Sequence, residues 1–127
     1  MTDKNTVKVL LVDDEPGILA ALEFLVKNEG YQVFTATNGE QALALAQELV
    51  PNLIVLDVMM PGLDGFQTAL RIRAIPALED CRIIFLTAKG TMQDRRQGYD
   101  SGAEIYLSKP FDNDQLIDAI NELIEYG

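Results

Sequence analysis

Six side chains with chemistry to offer sit at the ends of short strand-like runs. Asp13, Asp14 and Glu15 follow Val7 to Val12, and Asp57 follows Leu53 to Leu56. Thr87 follows Ile83 to Leu86, and Lys109 follows Glu104 to Ser108. Carboxylates gathered in one place repel and raise each other's pKa unless a cation joins them. Oxygen-only ligands of high negative charge select a hard divalent ion. Magnesium, which keeps several waters and needs only one or two carboxylates, is the natural candidate. A hydroxyl and an ammonium facing such a cluster, here Thr87 and Lys109, would hold the equatorial oxygens of a transferring phosphoryl group. Pro110 restricts Lys109 to extended geometry.

Whether these groups meet depends on the elements that carry them. The runs Val7 to Val12, Leu53 to Leu56 and Ile83 to Leu86 are short, β-branched and nearly continuous in apolar character. They read as strands buried on both faces. Tyr31 to Thr35 and Glu104 to Ser108 are interrupted by polar residues and fit sheet edges. Between the runs lie amphipathic segments: Ile18, Leu22, Leu25 and Val26 share one helical face, as do Leu116, Ile120, Leu123 and Ile124. Pro16 suits a first helical turn, and the pairs Asn38 with Gln41 and Asp112 with Gln115 resemble capping boxes. Thr91 to Ser101, mostly polar and carrying Gly98, is the weakest helix. Five strand–helix alternations predict an α/β sandwich, one doubly wound (βα)5 domain around a parallel sheet of order 2-1-3-4-5. Ligands bind such sheets beyond the carboxyl ends of the strands, where the winding reverses. In this order the crevice lies between the first and third strands, between Asp13-Asp14-Glu15 and Asp57.

With these residues in order, the sequence resembles a receiver domain of two-component response regulators. The likeness runs from Val7 to about Tyr126 and rests on Asp13-Asp14-Glu15-Pro16, Leu56-Asp57-Val58-Met59-Met60-Pro61-Gly62, Asp64-Gly65, Leu86-Thr87-Ala88, Gly102-Ala103 and Lys109-Pro110-Phe111. It implies a flavodoxin-like fold, a single receiver domain over residues 1–127 and a role in phosphorelay signalling. By the same resemblance Asp57 is the phosphoacceptor. Asp13, Asp14, Asp57 and the backbone carbonyl of Met59 coordinate magnesium, and Thr87 and Lys109 contact the phosphoryl oxygens. Tyr106 is the aromatic that moves inward with Thr87, reshaping a face made by the fourth helix, fifth strand and fifth helix for a partner or attached effector. The Lys109–Pro110 bond is cis by that likeness. The donor is a sensor histidine kinase or phosphotransfer protein, or a small acyl phosphate. With no histidine, the chain does not supply a phosphohistidine itself.

Other readings meet obstacles. Phosphatases with an aspartyl nucleophile need a second Asp two residues on, and Met59, which cannot exchange protons, stands there. An acidic loop at Asp13-Asp14-Glu15 would repel a flavin phosphate. No Walker-type glycine loop occurs. A degenerate receiver that only binds partners is set against the presence of all five core residues. The expectation is therefore a phosphoacceptor rather than an enzyme. Met59 and Lys89 flank the path of an attacking water in such domains, and Met59, being bulky and apolar, should slow hydrolysis.

Composition sets the outer bounds. A 48% hydrophobic content supports a core and excludes a disordered chain. No apolar run reaches the roughly 20 residues of a membrane span. The polar start lacks a secretory signal. Lone Cys81 reads as a small buried hydrophobe at a strand start. These features predict the cytoplasm and no membrane partner. Net charge −10 predicts no direct nucleic-acid contact. The stretch from Asp112 to Gly127 holds five acidic residues (Asp112, Asp114, Asp118, Glu122 and Glu125) and no Lys or Arg, which predicts a monomer when unphosphorylated and no salt-bridged dimer on activation.

Overall fold

The computed structural model describes residues 3–126. Strands β1 (Lys8–Val12), β2 (Gln32–Ala36), β3 (Leu53–Leu56), β4 (Arg82–Thr87) and β5 (Ile105–Ser108) form one sheet in the order β2-β1-β3-β4-β5. Every adjacent pair is parallel. Helices α1 (Pro16–Asn28), α2 (Gly39–Leu49), α3 (Gly65–Arg73), α4 (Met92–Asp100) and α5 (Asn113–Tyr126) alternate with the strands, with short 3-10 turns at Lys4–Thr6 and Pro76–Leu78.

The strands alternate sides. Leu10, Val12, Ile54, Leu56, Ile83 and Phe85 belong to a core layer with residues of α2 and α3. Val9, Leu11, Leu53, Val55, Ile84 and Leu86 belong to a second layer with Leu22 and Val26 of α1 and Leu116 and Ile120 of α5. Both faces being covered is why the three central strands read as nearly continuous apolar runs. Phe85 is fully buried, and its truncation to Ala would cost about 3–5 kcal/mol. The edge strands are the two predicted, β2 and β5, and each is only partly buried.

Boundaries move by a residue where pairing decides them. Val7 and Glu104 lie outside the strands, while β4 ends at Thr87 as expected. Pro16 opens α1 as expected. The Asn38 cap forms, with Oδ1 accepting from Gln41 N–H at 2.8 Å, but Gln41 returns its side chain to Thr37 N–H instead of Asn38. Asp112 accepts from the N–H groups of both Asp114 and Gln115. Full capping boxes occur at Asp64 with Gln67 and Thr91 with Asp94, which the sequence reading passed over. Cys81 is buried just before β4, and burial pushes its thiol up to about 12. Among the described residues no helix is long and apolar enough to cross a membrane.

Candidate functional site

At the carboxyl end of the sheet, β1 and β3 pair in register, Val12 opposite Leu56. The next residues, Asp13 and Asp57, are therefore adjacent, and both are buried. Asp13, Asp14, Glu15 and Asp57 each present a carboxylate oxygen, all within 4.8 Å of one another. Asp13 Oδ1 accepts from Glu15 N–H at 2.9 Å, and Asp57 Oδ1 accepts from Met59 N–H at 3.2 Å. Both carboxylates are thus oriented by their own following loops.

Lys109 enters from the far strand. Its N–H donates to the Thr87 carbonyl at 2.8 Å, which continues the β4–β5 ladder past Ser108. The Lys109–Pro110 peptide is cis. The ammonium donates to Asp13 Oδ2 at 2.7 Å and Asp57 Oδ2 at 3.1 Å, and lies 3.6 Å from Glu15 Oε1. Burial by itself would lower the Lys109 pKa, and the hydrogen bond and charge of Asp13 and Asp57 more than offset that, so it is raised. Burial raises the Asp13 carboxyl above the ordinary carboxylate range, with the Lys109 hydrogen bond pulling the other way. Two buried acids thus share one cation, a donor set suited to a hard divalent ion.

Gly65, which opens α3, lets that helix pass directly beneath Asp57. A Cβ there would lie 2.7 Å from Val58 Cα and closer still to the Asp57 carbonyl oxygen. The sequence signal for this was the Asp64-Gly65 pair. Its steric reason appears only in three dimensions.

The predicted site residues do not all meet. Asp13, Asp57 and Lys109 are in direct contact, and Asp14 joins the carboxylate group from the exposed rim. Glu15 belongs to the cluster although the predicted ligand set omits it. As N-cap of α1 it makes no side-chain cap, which leaves its carboxylate facing Lys109. Thr87 is buried, and its hydroxyl accepts from Lys89 N–H at 3.2 Å. Tyr106 is also buried, and its hydroxyl donates to the Lys89 carbonyl. Thr87 and Tyr106 are therefore linked through the two peptide groups of Lys89. Exposed Met59 and Lys89 line a cleft of about 540 Å³ together with Asp14, Phe66 and Gln97.

The sequence model of the response regulator receiver domain matches residues 9–121. The chain is 39% identical over 117 residues to the DNA-binding dual master transcriptional regulator RpaA of Synechocystis, covering 92% of this chain and 48% of that protein. It spans about half the length of the first curated relatives it matches. Sporulation initiation phosphotransferase F of Bacillus subtilis is 38% identical over 117 residues, covering 92% of this chain and 93% of that one. Among solved structures, response regulator TrrA of Thermotoga maritima, in complex with Mg(2+)-BeF, superposes with a TM-score of 0.83 at 35% identity, covering 92% of this chain and 98% of the other. A chemotaxis response regulator of Vibrio cholerae gives 0.87 at 32%, with the same coverage. With its sheet order, its paired acids and its strand-end lysine in the family's arrangement, this chain belongs to the receiver domains of two-component response regulators, the proteins of phosphorelay signalling.

Proposed function

We propose that Asp57 accepts a phosphoryl group beside a magnesium ion held by the carboxylates of Asp13, Asp14 and Asp57 and the backbone carbonyl of Met59. The observation that carries this reading is the buried Asp13–Lys109–Asp57 contact with further carboxylates alongside. Magnesium, when bound, neutralises negative charge on the phosphoryl oxygens and aligns them with the acceptor.

The chain's own groups account for the rest. Asp57 is oriented by Met59 N–H on one oxygen and by Lys109 on the other. The free electron pair of the carboxylate attacks phosphorus as the bond to the donor breaks. The donor is the phosphohistidine of a sensor kinase or phosphotransfer protein, and its imidazole leaves with the bonding electrons. Lys109 is placed to follow the charge onto the transferring oxygens. Thr87 uses its acceptor site for Lys89 N–H, which leaves its own proton to donate. When Thr87 turns toward the phosphoryl group it releases Lys89, whose carbonyl holds Tyr106. That is a route from the site to the face of α4, β5 and α5.

The domain, over 1–127, acts as an acceptor rather than a turnover enzyme, because Met59 offers no general base to take a proton from a water attacking the phosphoryl group. We read it as cytoplasmic, free of membrane and of direct nucleic-acid contact, with a protein partner or attached effector reading the output face. Net charge −10 supports the absence of nucleic-acid contact. Incubation with an acyl phosphate and magnesium should add one phosphoryl mass to the wild type and none to Asp57→Asn. Equal labelling of both proteins would refute the assignment.

A further inference from the structure

Helix α4 reads MQDRRQGYD, and its only buried residue is Gly98. Other helices anchor themselves with apolar side chains, such as Leu22 and Val26 of α1. The inward face of α4 instead offers a gap where a side chain would be. Tyr106 of β5 fills that gap. A Cβ at Gly98 would lie 2.5 Å from Tyr106 Cδ2, 2.7 Å from its Cε2 and 3.3 Å from Phe85 Cδ2. The Tyr106 ring, 2% exposed, also packs at 5.8 Å from Phe85 and 6.5 Å from Tyr99, centroid to centroid. Arg95, one turn before Gly98, closes the gap from outside. Its guanidinium carbon lies 5.4 Å from the Tyr106 ring centre, and its nitrogens donate to the Tyr106 carbonyl at 3.1 Å and to Ser108 Oγ at 2.7 Å.

We propose that Gly98 and Tyr106 form the joint that docks α4 on the sheet, so that the position of the ring and the position of the helix are one variable. A glycine inside a nine-residue polar helix weakens it as a helix. Here it admits the ring, and the ring supplies the apolar contact that α4 lacks. Gly98 is thus a positioning residue that acts through Tyr106. The joint exists without any phosphoryl group, so the inference stands or falls independently of Asp57 chemistry.

The test uses unphosphorylated protein labelled with 3-fluorotyrosine, the Tyr106 signal being assigned by its loss in Tyr106→Phe. In the wild type that signal should show a small solvent isotope shift between H2O and D2O, as a shielded ring does. In Gly98→Ala it should show the large shift of an exposed ring. Tyr106→Ala should speed amide exchange in α4 by at least tenfold, while α1 and α5 keep their protection and so report that the fold is intact. Tyr106→Phe, which keeps the ring and loses the bond to Lys89, should leave α4 protected. Gly98→Ala should lower Tm in the wild type and leave it unchanged or raised in Tyr106→Ala, where the ring is absent. A shielded Tyr106 in Gly98→Ala, or unchanged α4 exchange in Tyr106→Ala, would overturn the proposal.

Discussion

Lys109 and Asp57 meet 3.1 Å apart, Nζ to Oδ2, at the end of a sheet in which β4 separates their strands. The same ammonium is nearer to Asp13, at 2.7 Å. In the absence of a metal, then, a single lysine holds two buried acids. Lys109→Met should lower magnesium-free stability by about 3 kcal/mol, because both carboxylates lose their counter-charge in a desolvated site. The same variant should bind magnesium more tightly than wild type, since a competing cation has gone. Calorimetry and chemical denaturation with and without magnesium would measure both effects. Unchanged magnesium affinity would count against the shared site.

Gly65 is a second point of control, and it acts through backbone. In Gly65→Ala the new methyl group must displace either α3 or the Asp57–Val58 peptide. Stability should fall by about 2 kcal/mol. Phosphoryl incorporation from an acyl phosphate should slow by roughly 100-fold, the scale of an ångström's misplacement of a reacting group. A variant that folds less well yet labels at the normal rate would show that Asp57 is not displaced.

Charge on the output face bears on assembly. Glu104 is committed within the chain, its carboxylate bound to Arg73 at 2.8 Å and to Ile83 N–H at 2.6 Å. Arg95 is committed to Tyr106 and Ser108. Two α5 helices brought together would oppose Asp118 and Glu122 to their own copies. Sedimentation should therefore find a monomer, both alone and with a beryllium fluoride mimic of the phosphoryl group. A mimic-dependent dimer broken by changes at Arg95 and Glu122 would refute this.

Val50 ends α2 in the left-handed region at φ 49°, where a β-branched residue is strained. It is 47% exposed, so little burial is at stake. Val50→Asn should raise stability by about 1 kcal/mol, read as a higher denaturation midpoint with an unchanged slope.

The sheet was legible because burial on both faces writes a strand as a continuous apolar run, and Leu53 to Leu56 shows this without ambiguity. The acid pair was legible because each acid stands where such a run stops, and the lysine because it stands directly after a strand and before Pro110. Glu15 was read among the strand-end acids, but the ligand set implied by the resemblance leaves it out, and chain position alone does not say which way a rim carboxylate turns. The part played by Gly98 was invisible for another reason. A glycine in a polar helix looks like a weakness until the ring that occupies its space is known to come from β5. Gln41 shows the limit of capping patterns, since a side chain that can reach Asn38 N–H can also reach Thr37.

Arg73, at the last turn of α3, binds the Gly102 carbonyl through Nε and one terminal nitrogen, and the Cys81 carbonyl through the other. Gly102 follows Ser101, the C-cap of α4, and there Ser101 Oγ and Ala103 N–H also bond back to the Gly98 carbonyl. That helix is consequently a lever clamped at its carboxyl end, remote from the phosphoryl site. On the proposed route a push through Thr87 and Lys89 would act on the opposite end, where Arg95 holds the helix to Tyr106 and Ser108, and α4 would swing about Gly102 rather than slide along the sheet. On that proposal the greatest travel would fall near Thr91 and Met92, and Met92 stands 78% exposed there.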